Sequence, residues 1–344
     1  MSEVKLPTAL TRGQRIKNIQ KSIRRADAEL RAKYSFLNHQ NVIGLCFCLF
    51  SLSGMILTGA AYLAGLIPAW LCVILATVFA SISHELEHDL IHRLYFKENL
   101  FIQNAMMAIV WLMRPNTVNP WYRRTIHINH HKKSGTEEDI EERVIGNGMK
   151  FGFKRLLISL DGFLSISLRR KELRSMKGYN YFRFVLRGAP LAHVFVICFY
   201  GFVAFHLYDY FAPSLALSTE YPQWLMSVMN VLNILAVVWI LPNALRAFCL
   251  NSITTLMHYY GDVDSLMKQC QVVNHWALLP MQILSFNFGS THTIHHFYVR
   301  QPFYLRQLVA SKVLPVMKEN GIRFNDFASL IRANRYAKEN TLAG

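Results

Sequence analysis

Four stretches of this chain, near Asn41 to Leu63, Pro68 to Leu90, Gly188 to Tyr208 and Trp224 to Phe248, are each long and apolar enough to cross a bilayer core, which takes roughly 20 residues of helix. They lead to an expectation of an all-α integral membrane protein with about four transmembrane helices. The hydrophobic share of 52% is high for a soluble protein of 344 residues and points the same way. A fifth apolar stretch, Leu100 to Met113, is shorter and flanked by Lys97, Glu98 and Arg114. It reads as an interfacial or re-entrant helix.

The loops give the sidedness. Ala64 to Ile67 carries no charge, and Asp209 to Gln223 holds Asp209 and Glu220 but neither Lys nor Arg. The N-terminal arm, the segment Arg93 to Arg187 and the tail after Arg246 hold essentially all the cations, so these three are expected in the cytoplasm. The expected organisation is a basic arm over 1–40, a membrane domain over 41–305 and a cytoplasmic tail over 306–344. A formal charge of +16 suits loops that face anionic lipid headgroups. The cations flank apolar runs and form no compact basic module, so nucleic acid is not an expected partner.

Between Lys150 and Arg187 many cations are interleaved with Phe151, Phe153, Leu156, Leu157, Leu160, Phe163, Ile166 and Leu168. That pattern fits amphipathic helices on the inner leaflet or a solvated basic loop. Most of the six cysteines lie in or beside apolar stretches, and neither a disulfide framework nor a Cys-x-x-Cys metal site is expected. The polar start and the basic run from Arg12 to Lys33 argue against a cleaved signal peptide.

The chemistry is carried by histidine. Of fourteen, eight fall in three clusters: His84-Glu-Leu-Glu-His88, His127-Ile-Asn-His130-His131 and His292-Thr-Ile-His295-His296. Helical positions three and four apart share a face, so each cluster can aim imidazoles at one point. Sidedness, read from Lys and Arg alone, brings all three to the cytoplasmic side. The isolated His39, His193, His206 and His275 read as ordinary hydrogen-bonding residues. Eight imidazoles exceed the coordination of one ion, so at least two metals are implied, with iron, zinc, copper and nickel all open.

The combination of boxes resembles the membrane fatty acid desaturase and hydroxylase superfamily over about Asn41 to Leu305. His84-Glu-Leu-Glu-His88 is similar to the first box. His130-His131-Lys-Lys-Ser-Gly-Thr136-Glu-Glu-Asp139 is similar to the second box and its following Thr-x-x-Asp, and His295-His296 with Pro302-Phe-Tyr304 to the third. Met257-His258-Tyr259-Tyr260-Gly261 resembles the segment that brings a further histidine. The resemblance implies two non-haem iron ions, molecular oxygen as co-substrate, and His84, His88, His127, His130, His131, His258, His292, His295 and His296 as ligands. Asp89 stands where alkane hydroxylases carry Lys, and the second box is one residue shorter than theirs, which argues against an alkane substrate.

On this reading two ferrous ions activate oxygen against an unactivated C–H bond of a lipid or fatty acyl chain, and the product expected is a desaturated one. Hydroxylation, or oxidative decarboxylation to a terminal alkene, uses the same metals. A zinc-dependent membrane hydrolase and a non-enzymatic metal-binding membrane protein are the readings from other classes. No cytochrome b5 or rubredoxin module is visible, so electrons are expected from a separate ferredoxin, rubredoxin or cytochrome with its reductase, in a bacterial inner membrane. Glu85, Glu87, Asp89 and Asp139 are placed either to orient ligand imidazoles or to solvate helix ends. Arg114, Arg123 and Arg124 are placed to hold an acyl carboxylate or headgroup, or to anchor at the interface. His92 shares the face of His88 but lies about 12 Å along the axis from His84 at 1.5 Å per residue. It is expected outside the ligand set, among the residues that support it.

Overall fold

The computed structural model describes residues 10–176 and 180–332, which are helical with no β-strand among them. Four helices are long and apolar enough to cross a membrane: Gln40–Leu63, Ala69–Ile91, Pro190–Phe211 and Gln223–Met257. In a bilayer core every backbone N–H and C=O must be paired within the protein, and a helix does this within one segment. The chain starts with α1 (Arg12–Lys33), closed at its N-terminus by a reciprocal Thr11 and Gln14 capping box. The first two spans, α2 (Gln40–Leu63) and α3 (Ala69–Ile91), form a tight hairpin. The shorter apolar helix α4 (Leu100–Leu112) matches the fifth apolar stretch.

A cap of short helices follows: α5 (Pro120–Lys133), α6 (Ile140–Val144), α7 (Phe153–Leu160), α8 (Gly162–Leu168) and α9 (Arg170–Ser175). In α7 and α8 the apolar side chains Phe153, Leu156, Leu160 and Phe163 face outward while Arg155 and Ile158 are buried, the inverse of a helix on a water-facing surface. The third span is α10 (Pro190–Phe211), almost none of which is buried. The fourth joins α11 (Gln223–Leu235) and α12 (Leu241–Met257) through a π-helical turn at Ala236–Ile240. Pro242 has no N–H to give the preceding turn, which accounts for the local widening. This span continues nine residues past the expected Phe248, and so carries His258 at its end.

The remaining helices, α13 (Leu279–Leu284), α14 (Phe288–Phe297) and α15 (Phe303–Glu319), fold back against the same end of the bundle. α1 packs on α15 through Ile19, Ile23, Val309, Val313 and Met317, so the N-terminal arm and the C-terminal segment share one apolar cluster.

Span α3 is central: it packs against α2, α4, α5, α12, α13 and α15. Arg306 of α15 pins it there. Its buried guanidinium donates to Asp89 at 3.2 Å and to Glu85 at 3.1 Å. Asp89 also accepts from the Tyr95 hydroxyl and the Phe303 backbone N–H, both at 2.8 Å. Truncating one partner of such a buried network strands charge without a counter-ion. Arg306→Ala is therefore expected to destabilise the protein by about 3–5 kcal/mol, read as a lower unfolding midpoint in detergent; an unchanged midpoint would contradict the pinning role.

Candidate metal centre

Three helices and one helix end deliver the histidines. α3 supplies His88 and, as its C-cap, His92; α5 supplies His127, His130 and His131, α14 supplies His292, His295 and His296, and His258 follows the last turn of α12. The start of α5 is fixed by Pro120 at its first position and by Asn119, whose side chain accepts from the Tyr122 N–H. Its end is fixed by Gly135, at φ +83°, where a side chain would run into Val263 and the Tyr259 carbonyl. That turn brings Asp139 back onto α5.

The ligand atoms sort into two groups. His88, His92, His127, His131 and His295 form one, and His130, His258, His292 and His296 the other; within each, all ligand atoms lie within 4.8 Å of one another. In the first group the Nε2 of His92 is 3.0 Å from that of His127, 3.3 Å from His131 and 3.1 Å from His295. His131 Nε2 is 3.1 Å from His127 and 3.0 Å from His295. In the second, His296 Nε2 is 3.3 Å from His292 and 3.4 Å from His258. Nitrogens bound at about 2.1 Å to one ion at near-right or tetrahedral angles lie about 3.0–3.4 Å apart. Neutral imidazoles, each with a single N–H, cannot satisfy so many mutual contacts by hydrogen bonding. His88 adds a sharper test: both its ring nitrogens are buried without a hydrogen-bond partner, a cost that a metal ion would remove at one of them.

Because the Nε2 atoms converge, the Nδ1 atoms point outward, and most have a partner that fixes ring orientation. His127 Nδ1 meets Glu141 at 2.6 Å, His130 Nδ1 meets Asp139 at 3.0 Å, and His296 Nδ1 meets Gln269 at 3.0 Å. His258 Nδ1 lies 3.2 Å from the Thr254 carbonyl and 3.4 Å from Glu142. Burial, reinforced by neighbouring imidazoles, pushes His127, His131, His292, His295 and His296 below the ordinary imidazole range, and burial with the Arg306 charge pushes His92 down to about 4. They are held neutral, the form that ligates metal. His130 is pushed up to about 9: burial opposes its charge, but Asp139 outweighs burial.

Two assignments differ from the sequence reading. His84 lies outside both groups; its Nδ1 is 3.2 Å from Arg114 and its ring packs edge-on against Phe288. His92 lies inside. The i, i+4 pair that converges is His88 and His92, so the axial distance from His84 is no obstacle. The acidic residues of α3 serve arginines: Glu85 and Asp89 bind Arg306, and Glu87 binds Arg114 and Arg123. Only Asp139 of the four anticipated carboxylates reaches an imidazole by hydrogen bond. Glu141 does so at His127, and Glu142 reaches His258 through the Thr254 hydroxyl. Their signal was present in the acidic run Glu137 to Glu142 within an otherwise basic segment.

Of the three anticipated headgroup arginines, Arg114 is fully buried against Glu87, and Arg124 donates to the Leu90 and Ile91 carbonyls at the end of α3. Arg123 bridges Glu87 at 2.8 Å and Glu141 at 3.2 Å. It also faces a cavity of about 390 Å³ that reaches His88 and His127 of one group and His130, His258 and His292 of the other. Apolar side chains such as Ile126, Val144, Phe184, Val196 and Leu250 form much of its wall. Val196 and Ile197 belong to α10, and Ile197 is largely exposed on the outer face of the bundle.

A family model described as Fatty acid desaturase matches residues 64–328, well over half of the chain. No curated protein matches the sequence.

The geometry separates His92 from His84 experimentally. His92→Ala is expected to lower the metal content of purified protein, whereas His84→Ala is expected to retain the wild-type content, both read by elemental mass spectrometry on folded samples. The reverse pattern would restore His84 to the ligand set.

Proposed function

The chain belongs to the fatty acid desaturase family, and on that premise we propose that it is a membrane-bound di-iron enzyme that uses molecular oxygen to desaturate a fatty acyl chain. The observation that carries the reading is the single cavity whose apolar wall runs from α10 to both histidine groups. It offers a chain of methylenes access to two metal ions at once. The proposed ligands are His88, His92, His127, His131 and His295 for one ion and His130, His258, His292 and His296 for the other.

An all-imidazole donor set suits iron without selecting it over other borderline metals; the family supports iron. When bound, the iron pair supplies oxygen activation and the removal of hydrogen from an unactivated C–H bond. The residues of the chain do the rest. Glu141, Asp139, Gln269 and Thr254 hold the rings so that Nε2 faces inward. Ile126, Val144, Phe184 and Leu250 exclude water and favour an apolar chain.

Reduction of oxygen to two waters takes four electrons. Two come from the C–H bonds that become the double bond, and two must come from a separate donor such as a ferredoxin, rubredoxin or cytochrome with its reductase. The excess of cations flanking the spans supports a cytoplasmic position for this end of the bundle and electrostatic docking of an acidic donor. The bacterial inner membrane is the location that fits this arrangement.

Expression in a host lacking the activity, with mass spectrometry of fatty acids and volatile hydrocarbons, is expected to reveal a new unsaturated fatty acid. Turnover should require iron, oxygen and reduced ferredoxin, and in sealed vesicles only those with the cytoplasmic face outward should respond. Equal turnover with zinc alone would overturn the di-iron reading, and a hydroxy acid or terminal alkene as sole product would overturn desaturation.

A further inference from the structure

Arg246 is the charged residue of the cavity wall that the oxidation chemistry leaves unused. It sits on α12, is 2% exposed and lines the same cavity as His84, His88 and His292. Its Nη2 donates to the Asn116 side-chain carbonyl at 3.0 Å and its Nε to that of Asn243 at 3.4 Å. Both partners are neutral amides. Among the described residues no carboxylate oxygen lies within ion-pairing distance of it, whereas three other buried or half-buried guanidinium groups beside the histidines are paired. Arg114 binds Glu87, Arg123 binds Glu87 and Glu141, and Arg306 binds Glu85 and Asp89.

A guanidinium does not give up its proton in a protein, so burial cannot be relieved by neutralisation. A buried cation is tolerated when paired, and an unpaired one is costly. The carboxylates that line the same cavity are engaged elsewhere: Glu141 by Arg123 and His127, Glu142 by the Thr254 hydroxyl, and Asp161 by the Tyr200 hydroxyl. A carboxylate partner for Arg246 would therefore arrive through the cavity. The cavity wall states what else that anion carries, since Val118, Ile126, Val144, Phe184 and Leu250 are apolar.

We propose that Arg246, supported by Asn116 and Asn243, binds the carboxylate of a free fatty acid, so that the enzyme takes its chain as the unesterified acid. This rests on the reading of the cavity as the acyl site. Thioesters and glycerolipid esters lack the carboxylate and would leave the guanidinium unpaired. The amides of Asn116 and Asn243 hold the guanidinium by its Nη2 and Nε edges and pre-orient it. The remaining donors stay available for the planar, charge-assisted pair that arginine forms with a carboxylate.

Binding can be measured without turnover. Full-length iron-loaded protein in nanodiscs, kept anaerobic, is equilibrated with tritiated palmitic acid and competed with unlabelled palmitic acid or methyl palmitate. The acid is expected to compete about ten- to hundredfold better than the ester, the range of a charge-assisted contact. Arg246→Gln should abolish that preference by weakening the acid alone, and Arg246→Lys should retain part of it. Equal competition by acid and ester in the wild-type protein would overturn the proposal even if the variants fail to fold, as would a folded Arg246→Gln protein that keeps the preference. Iron content and oxidation products measured on the same samples separate the two readings. Iron-dependent product from an ester or thioester, without any preference for the acid, would refute the carboxylate site and leave the oxidase standing.

Discussion

Nine imidazole rings converge on two points, with Nε2 atoms in van der Waals or closer contact across helices that are far apart in sequence. Neutral rings in this arrangement cannot all hydrogen bond to one another, and charged ones would repel in a buried setting. Cations at the two centres resolve both difficulties, and the helices around them are then tied together. α3, α5, α14 and the end of α12 meet at these points, and bound metal would help to hold them there. On the proposed function the centre would be both the reactive site and a fastening between the membrane bundle and its cap.

A second set of charges surrounds the first. Arg306 joins Glu85 and Asp89 of α3 to α15, while Arg123 joins Glu87 of α3 to Glu141 beside His127. These pairs are buried or half-buried and individually weak evidence for stability. Their value lies in register, because each fixes one histidine-bearing helix relative to a neighbour. Arg246 is the exception in the set, and its amide partners and position on the cavity wall mark it as oriented toward a ligand.

The class of the fold was legible because long apolar runs admit one local structure in a bilayer, and the four spans stand where those runs do. The histidine clusters were legible because helical spacing is a property of the sequence. Which pair on α3 converges was not. His84, His88 and His92 share one face, and the choice between them depends on the height at which α5 and α14 cross α3. The carboxylates behind the rings were obscured for the same reason. Glu85, Glu87 and Asp89 flank a ligand in sequence yet turn away from it to meet arginines, whereas Glu141 and Glu142 approach only because Gly135 reverses the chain.

The central claim is that the histidines build two distinct metal sites, one of five imidazoles and one of four. Anomalous X-ray diffraction at the iron absorption edge from crystals of iron-loaded protein tests it most directly. Two peaks are predicted, one enclosed by His88, His92, His127, His131 and His295 and the other by His130, His258, His292 and His296. A single peak, or one coordinated by His84 in place of His92, would contradict the account.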